Sequence, residues 1–432
     1  RHLMNSKPLS FPSTISAGTT PKHRFLEAFA RRALLSGLSR ITNGEIILND
    51  GSTHLRFGRV TAQCPLRVTV TVTNPRFYTD TAFGGSIGAG EAFMAGYWQV
   101  DDLPVLIRIF LCNRELLDGM DGRWAWLTRP IQKFLHRLNR NTAKGSRRNI
   151  SAHYDVGNDF FALFLDESLM YSSAIFTDST MTLHDAQVAR LDHICRKLEL
   201  KSTDRLLEIG TGWGGFALHA ATRYGCQVTT TTISQQQYDL ACERVAAAGL
   251  NDRITVLCTD YRDLTGQYDK LVSLEMIEAV GYQYFDSYFG TCSRLLKPEG
   301  MMVLQAITIA DQRYEAAKRS VDFIQRYIFP GSCIPSITAM SGSIARASDL
   351  RLFHLEDIGP HYVTTLQAWR DNLYRNQKKI LSLGYSEEFF RMWEFYFCYC
   401  EGGFTERVIS DVQMLLTKPG NRREPIPSIQ VA

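Results

Sequence analysis

Residues 205–215, RLLEIGTGWGG, constrain the fold of this chain more than any other stretch. RLLEI is an apolar run carrying one acid, Glu208, and reads as a buried parallel strand. Gly210, Gly212, Gly214 and Gly215 follow at once, and residues 216–223 have helical spacing. A strand that ends in glycines and turns into a helix lets backbone approach a ligand at the carboxyl edge of a sheet. Glycine spacing alone is a weak sign, because many α/β folds make this turn and bind nothing there.

The rest of the C-terminal two-thirds repeats the same rhythm. Strand-like runs at 227–232, 254–258, 270–274 and 301–306 alternate with helical stretches, which implies a doubly wound parallel sheet. Residues 310–341 interrupt the pattern with YIFPGSCIPSI (327–337), an apolar segment broken by two prolines. Residues 351–358 and 408–416 supply closing strands, separated by an aromatic helical region.

The N-terminal part has another texture. Residues 25–40 form an amphipathic helix, read as packed on its own sheet, with a membrane-surface helix as the alternative. Short strands follow at 44–48, 55–57 and 66–73, the last alternating Leu66, Val68, Val70 and Val72 with polar residues. Glycines 84, 85, 88, 90 and 96 predict a turn-rich passage, and 103–112 an apolar helix. This gives a small α+β domain over 7–133 and a basic linker over 134–148, with the larger domain over 149–432. The linker is read as solvated, with attraction to anionic headgroups as the alternative.

At 432 residues the chain is long enough for two or three domains. A net charge of +4 is too small to indicate nucleic acid as a partner. Ten cysteines without paired C-x-x-C spacing give no metal site, and without a signal-peptide pattern reduced thiols in the cytoplasm are the expectation. No apolar run is long enough to span a bilayer, so any membrane contact is expected to be peripheral.

The glycine turn suits either a dinucleotide or S-adenosylmethionine. A dinucleotide site wants an acid at the end of the second strand. Here that strand ends in Thr232, Ile233 and Ser234, whereas the third ends in Asp260 and Tyr261, where an acid can accept from an adenine amino group. The methyl donor is the better match.

With those residues in view, the chain from 153 to 416 resembles the cyclopropane-fatty-acyl-phospholipid synthase family, including the mycolic acid cyclopropane synthases. The resemblance runs in order through YDVGNDFFALFLD, MYSSAIF, LLEIGTGWGG, TTISQQQ, DYRDL, EMIEAVG, LLKPEG, RYIFPGSCIPS and YCEGGF. GEAFMAGYWQVDDL (90–103) is similar to the phospholipid-acting bacterial members, which favours a phospholipid substrate. The resemblance implies a Rossmann-like class I methyltransferase with a seven-stranded sheet. The implied reaction is transfer of the methyl carbon of S-adenosylmethionine to a cis double bond of an unsaturated acyl chain. It also implies peripheral contact with the inner face of a membrane and a homodimer.

Carried over by position, Tyr171 and Ser172 contact the donor from the lid side, and Glu208, Gly210, Gly212, Gly214 and Gly215 wrap its methionine and ribose. Thr232, Ser234 and Gln237 hold the ribose side, and Asp260 and Tyr261 border the adenine. The alkene attacks the sulfonium methyl and becomes cationic, so the site must exclude water and stabilise charge on aromatic faces. The resemblance implies a bicarbonate ion as base, positioned by Glu278, with Tyr362 as hydroxyl ligand and Ile307 as backbone contact. Ser173 and Gln305 stand where the ring-forming enzymes have cysteine and histidine, and Ala279 where histidine is common. Serine and glutamine still donate hydrogen bonds to an oxyanion, but neither titrates as imidazole does. This set resembles branches that make methylene- or methyl-branched chains, in which the cation ends as an alkene rather than a ring. Cys400 matches a cysteine once considered catalytic and reads as a buried structural thiol. Tyr396, one helical turn earlier, suits the cation pocket. A lipid-binding protein without catalysis and a small-molecule methyltransferase are the other readings.

Overall fold

The computed structural model describes residues 21–114 and 156–426. The basic stretch at 134–148 lies outside them, as does the start of the aromatic stretch at 153.

In the N-terminal domain, α1 (Pro21–Leu38) is followed by a hairpin of β1 (Gly44–Asp50) and β2 (Thr53–Arg59), then β3 (Arg67–Val72), α2 (Arg76–Met94), β4 (Trp98–Val100) and α3 (Leu103–Cys112). The sheet order is β2-β1-β3-β4, with β1 and β3 parallel. Ala30, Leu34 and Leu38 of α1 turn inward, while Phe25, Leu26 and Phe29 remain exposed. Glycines 84, 85, 88 and 90 lie in a helix rather than a series of turns, and Gly96, at φ 73°, lies in the turn after it. The one break in the helix is Gly85, at φ 59°, which kinks α2. Gly88 serves close packing, because a Cβ there would stand 1.9 Å from the carbonyl oxygen of Asp80.

The larger domain begins with α4 (Asn158–Phe161) and α5 (Leu183–Lys197), then β5 (Arg205–Ile209), α6 (Gly215–Tyr224), β6 (Gln227–Thr231), α7 (Gln235–Ala247), β7 (Ile254–Leu257) and β8 (Tyr268–Leu274). There follow α8 (Phe285–Leu295), β9 (Leu296–Ile309), α9 (Asp311–Ala317), α10 (Phe323–Tyr327), α11 (Ile337–Ala347) and β10 (Arg351–Asp357). The last elements are α12 (Gly359–Arg375), α13 (Gln377–Ser382), α14 (Glu387–Thr405) and β11 (Ile409–Thr417). The seven-stranded sheet has the order β10-β11-β9-β8-β5-β6-β7, and β11 alone runs against its neighbours. The parallel order reverses around β5, the switch point at whose carboxyl edge sheets of this kind bind ligands.

One apolar core runs through the N-terminal domain into α14. Phe395 lies 5.7 Å from Phe93 and 4.6 Å from Phe323, ring centre to ring centre. Arg108 of α3 pairs with Glu406 at 2.6 Å. Among the described residues no helix is long and apolar enough to cross a membrane.

Candidate active site

The carboxyl end of β5 delivers the glycine loop. Gly210 and Thr211 donate from their backbone nitrogens to the carbonyl of Thr231, both at 3.0 Å, which pins the loop to β6. Gly212 has φ 52°, and a Cβ there would find nothing within 4 Å, so this bend faces open space. Gly215 is needed for the opposite reason: its Cβ would stand 2.5 Å from the carbonyl oxygen of Ser168. Arg244 braces the turn by donating to the carbonyls of Trp213 (2.5 Å) and Ser168 (3.2 Å). Glu208 lies buried below and accepts from the Thr230 hydroxyl at 2.6 Å, and that hydroxyl meets Thr211 at 2.7 Å. Burial pushes the Glu208 carboxyl up to about 8. At the end of β6, Thr232 bonds Gln237 at 2.8 Å, and Ser234 caps α7. Asp260, after β7, is held by both arms of the Arg262 guanidinium at 2.8 and 2.6 Å, and that guanidinium lies over the Tyr261 ring. These groups line one edge beside an open glycine bend, a donor set that fits a nucleoside with a charged tail.

The neighbouring strands deliver carboxylates. Glu275, just past β8, accepts at Oε1 from the backbone nitrogen of Ser173 (2.9 Å) and from Gln305 (2.7 Å). Its Oε2 accepts from the Tyr362 hydroxyl at 2.6 Å. Glu275 also sits at φ 51°, a left-handed conformation that costs a side-chain-bearing residue about 1–2 kcal/mol. Three residues on, Glu278 accepts from the backbone nitrogen of Ile307 at 2.5 Å, while its buried Oε2 has no hydrogen-bond partner. Burial first, and repulsion from Glu275 second, push the Glu278 carboxyl up to about 8. Asp411, across the β9–β11 ladder from Ile307, accepts from Gln305 at 2.9 Å. Burial and then Glu275 hold its carboxyl well above the usual range, so this acid is kept protonated beside Glu275. Arg190 of α5 supplies buried positive charge close by. It donates to Ser172 and Gln187 at 2.8 Å, and its Nε and Nη1 make no hydrogen bond.

Gln305 continues into a polar chain through the sheet. Its oxygen accepts from Gln413 at 3.1 Å, whose own oxygen accepts from Lys197 at 2.8 Å. Lys197 also pairs with Glu356 at 2.5 Å, and Glu356 meets His193 at 2.6 Å.

An aromatic wall completes the site. The hydroxyls of Tyr171 and Tyr396 meet at 3.2 Å. Phe329 stacks on Tyr171 at 6.2 Å and meets Tyr396 edge-on at 6.1 Å. Trp369 lies 5.3 Å from Tyr171, and Tyr362 stacks on Phe404 at 4.5 Å. The segment bearing Phe329 is tied to the N-terminal domain, because Glu91 accepts from Tyr327 and pairs with Arg326 at 3.2 Å. Cys400 is buried on α14, and desolvation and then Asp322 keep its thiol protonated well above the ordinary range. That leaves no thiolate nucleophile there.

The sequence-derived bicarbonate ligands do come together, but the chain's own carboxylates use them. Tyr362, Gln305 and the Ser173 nitrogen bond Glu275, the Ile307 nitrogen bonds Glu278, and the Ser173 hydroxyl donates to the Ala174 carbonyl at 3.1 Å. An added anion would meet filled donors and like charge, so these residues do not fit bicarbonate. Sequence reasoning missed Glu275, Asp411, Arg190 and Gln413. Acids inside apolar strands, such as Asp411 within ISDVQMLLT, were the available clue.

A sheet of this order, with a glycine loop after β5 and an acid after β7, defines a Rossmann-like S-adenosylmethionine-dependent methyltransferase. Solved structures agree: the cyclopropane synthase MmaA2 from Mycobacterium tuberculosis has a TM-score of 0.59 at 28% identity, covering 63% of this chain and 98% of its own. Mycolic acid cyclopropane synthase CmaA1, complexed with S-adenosylhomocysteine and CTAB, has a TM-score of 0.58 at 31% identity, again covering 63% of this chain and 98% of its own. The chain belongs to the mycolic acid cyclopropane synthetase family, whose model matches residues 141–414. Tuberculostearic acid methyltransferase of Mycobacterium tuberculosis is 38% identical, over 78% of this chain and 80% of its own length. The cyclopropane-fatty-acyl-phospholipid synthase of Escherichia coli is 36% identical, over 81% of this chain and 87% of its own.

Proposed function

We propose that this enzyme transfers the methyl carbon of S-adenosylmethionine to a cis double bond of an acyl chain carried by a phospholipid. One observation carries the reading: a buried, unpartnered carboxyl oxygen of Glu278 shares the sheet edge with the open glycine bend and the aromatic wall. A cation formed on an acyl chain needs such surroundings, with aromatic faces, little water and carboxyl groups close by. The phospholipid is supported by the Escherichia coli relative, whose match spans more of the chain than residues 141–432 supply. The contact of Glu91 with the Tyr327 segment, which joins the N-terminal domain to the acyl-side wall, points the same way. Reaching such a substrate calls for peripheral contact with the cytoplasmic face of a membrane.

A cyclopropane is the first reading of the product. A methylene-branched chain is the second, favoured by Ser173 and Gln305 binding Glu275 in place of an added anion. The test is incubation with S-adenosylmethionine and dioleoyl-phospholipid vesicles, followed by mass spectrometry of the fatty-acid methyl esters. A gain of one CH2 is expected, and hydrogenation then separates branch from ring. No gain with any unsaturated phospholipid would overturn the reading.

A further inference from the structure

Three donors from three separate parts of the chain converge on Glu275. They are the backbone nitrogen of Ser173 in the loop before α5, the amide of Gln305 on β9 and the phenol of Tyr362 on α12. An acceptor that takes three hydrogen bonds and gives none has the pattern of an ionised carboxylate. The backbone there adopts a conformation that favours glycine, and any acid placed at this point must bear that strain. Strain retained at a half-buried carboxylate beside the aromatic wall is the mark of a group held for use rather than for stability.

The geometry points to Glu275 as the built-in anion of this site, standing where the same donors would hold bicarbonate and accepting the proton that the alkylated acyl chain must lose. This rests on the methyl-transfer reading above. The alkene π pair forms the bond to the methyl carbon, and the methyl–sulfur pair stays on sulfur as a neutral thioether. The acyl carbon left cationic is relieved when a C–H proton passes to a Glu275 oxygen. The freed pair either closes the ring or becomes a double bond. Glu275 ends as a neutral acid and returns its proton to water after product leaves. An alkyl cation is a strong enough acid that position, rather than basicity, limits this step. Arg190 and the protonated Asp411 let one charge persist here, and a second anion beside it would be repelled.

Two measurements on the full chain test the assignment. The first titrates 13C-bicarbonate by NMR in the presence of S-adenosylhomocysteine. Wild type is expected to show no saturable binding, and Glu275→Gly, which suits the backbone and empties the seat, is expected to bind. The second measures turnover in buffer stripped of carbon dioxide. Wild type keeps its rate, while Glu275→Gly loses about 100-fold or more and regains at least about a tenth of the wild-type rate with added bicarbonate. Glu275→Gln, which fills the seat without charge, should bind S-adenosylhomocysteine normally by calorimetry and show the same loss without rescue. Saturable bicarbonate binding by wild type, or a wild-type rate that falls on stripping, overturns the inference. So does turnover of either variant within about threefold of wild type in stripped buffer, or a folded Glu275→Gly that bicarbonate neither binds nor rescues. If Glu275→Gly does not fold, wild-type binding and Glu275→Gln decide. If wild type methylates no lipid, the methyl-transfer reading fails by itself and the binding contrast decides the seat.

Discussion

At the ends of β5, β6 and β7, where the donor is proposed to bind, the enzyme presents mostly backbone and short polar side chains that already satisfy one another, as Thr232 does with Gln237 and Asp260 with Arg262. At the ends of β8, β9 and β11 it offers three neighbouring carboxyl groups, Glu275 and Asp411 sharing the Gln305 amide, and Glu278 held by the Ile307 nitrogen. The first half needs conformational freedom at a few glycines and little else. The second gathers desolvated carboxyl groups, which is costly unless reaction makes use of them. On the proposed function, binding and chemistry fall on separate strands of one sheet.

The comparison breaks most visibly at Glu278. Glu278→Gln is expected to lower turnover by about 100-fold or more while calorimetry finds donor affinity unchanged. Equal loss of both would merge the two halves. Relative to wild type, the same variant should gain stability with rising pH. The folded carboxyl titrates near 8 and the free side chain near 4.5. Between those values the unfolded chain releases a proton that the folded chain keeps, so wild-type stability falls across the window and levels off above it. The amide has no such slope, so its melting-temperature advantage should be larger at pH 8 than at pH 5.

A smaller effect is expected on the donor side. Gly212→Val puts a β-branched side chain at positive φ and into the open bend, and should weaken S-adenosylhomocysteine binding about tenfold or more. Unchanged affinity would mean that the donor lies elsewhere. The smallest effect belongs to Lys197→Met, which leaves the Gln413 oxygen without its donor. It should cost about 1–3 kcal/mol of stability, read from chemical denaturation, and change turnover only a few-fold.

The residues proposed for the donor could be picked out as a group in the sequence because their information is contiguous. The glycines, the acid-free end of β6 and Asp260 each lie at a strand end that hydrophobic pattern alone locates. Those of the acyl half could not. Glu275 begins the EMIEAVG motif, yet only Glu278 in it drew a role, and nothing local marks Glu275 as the meeting point of Ser173, Gln305 and Tyr362. Asp411 and Gln413 reach the site only because β11 runs back between β9 and β10. In α2 the failure was of another kind: its four glycines look alike in sequence, but only Gly85 breaks the helix, and others such as Gly88 make room for neighbours.

The line from Lys197 to Glu275 carries a direction. An amide buried in a sheet keeps its shape when turned end for end, so neither Gln413 nor Gln305 fixes its own orientation. A lysine ammonium has only hydrogens to offer, and so Gln413 must show it an oxygen. That turns the Gln413 nitrogen toward Gln305, which turns the Gln305 nitrogen toward Glu275 and Asp411. Which end of each amide faces the two acids is thus decided across the sheet, by a lysine on α5 that touches neither acid directly.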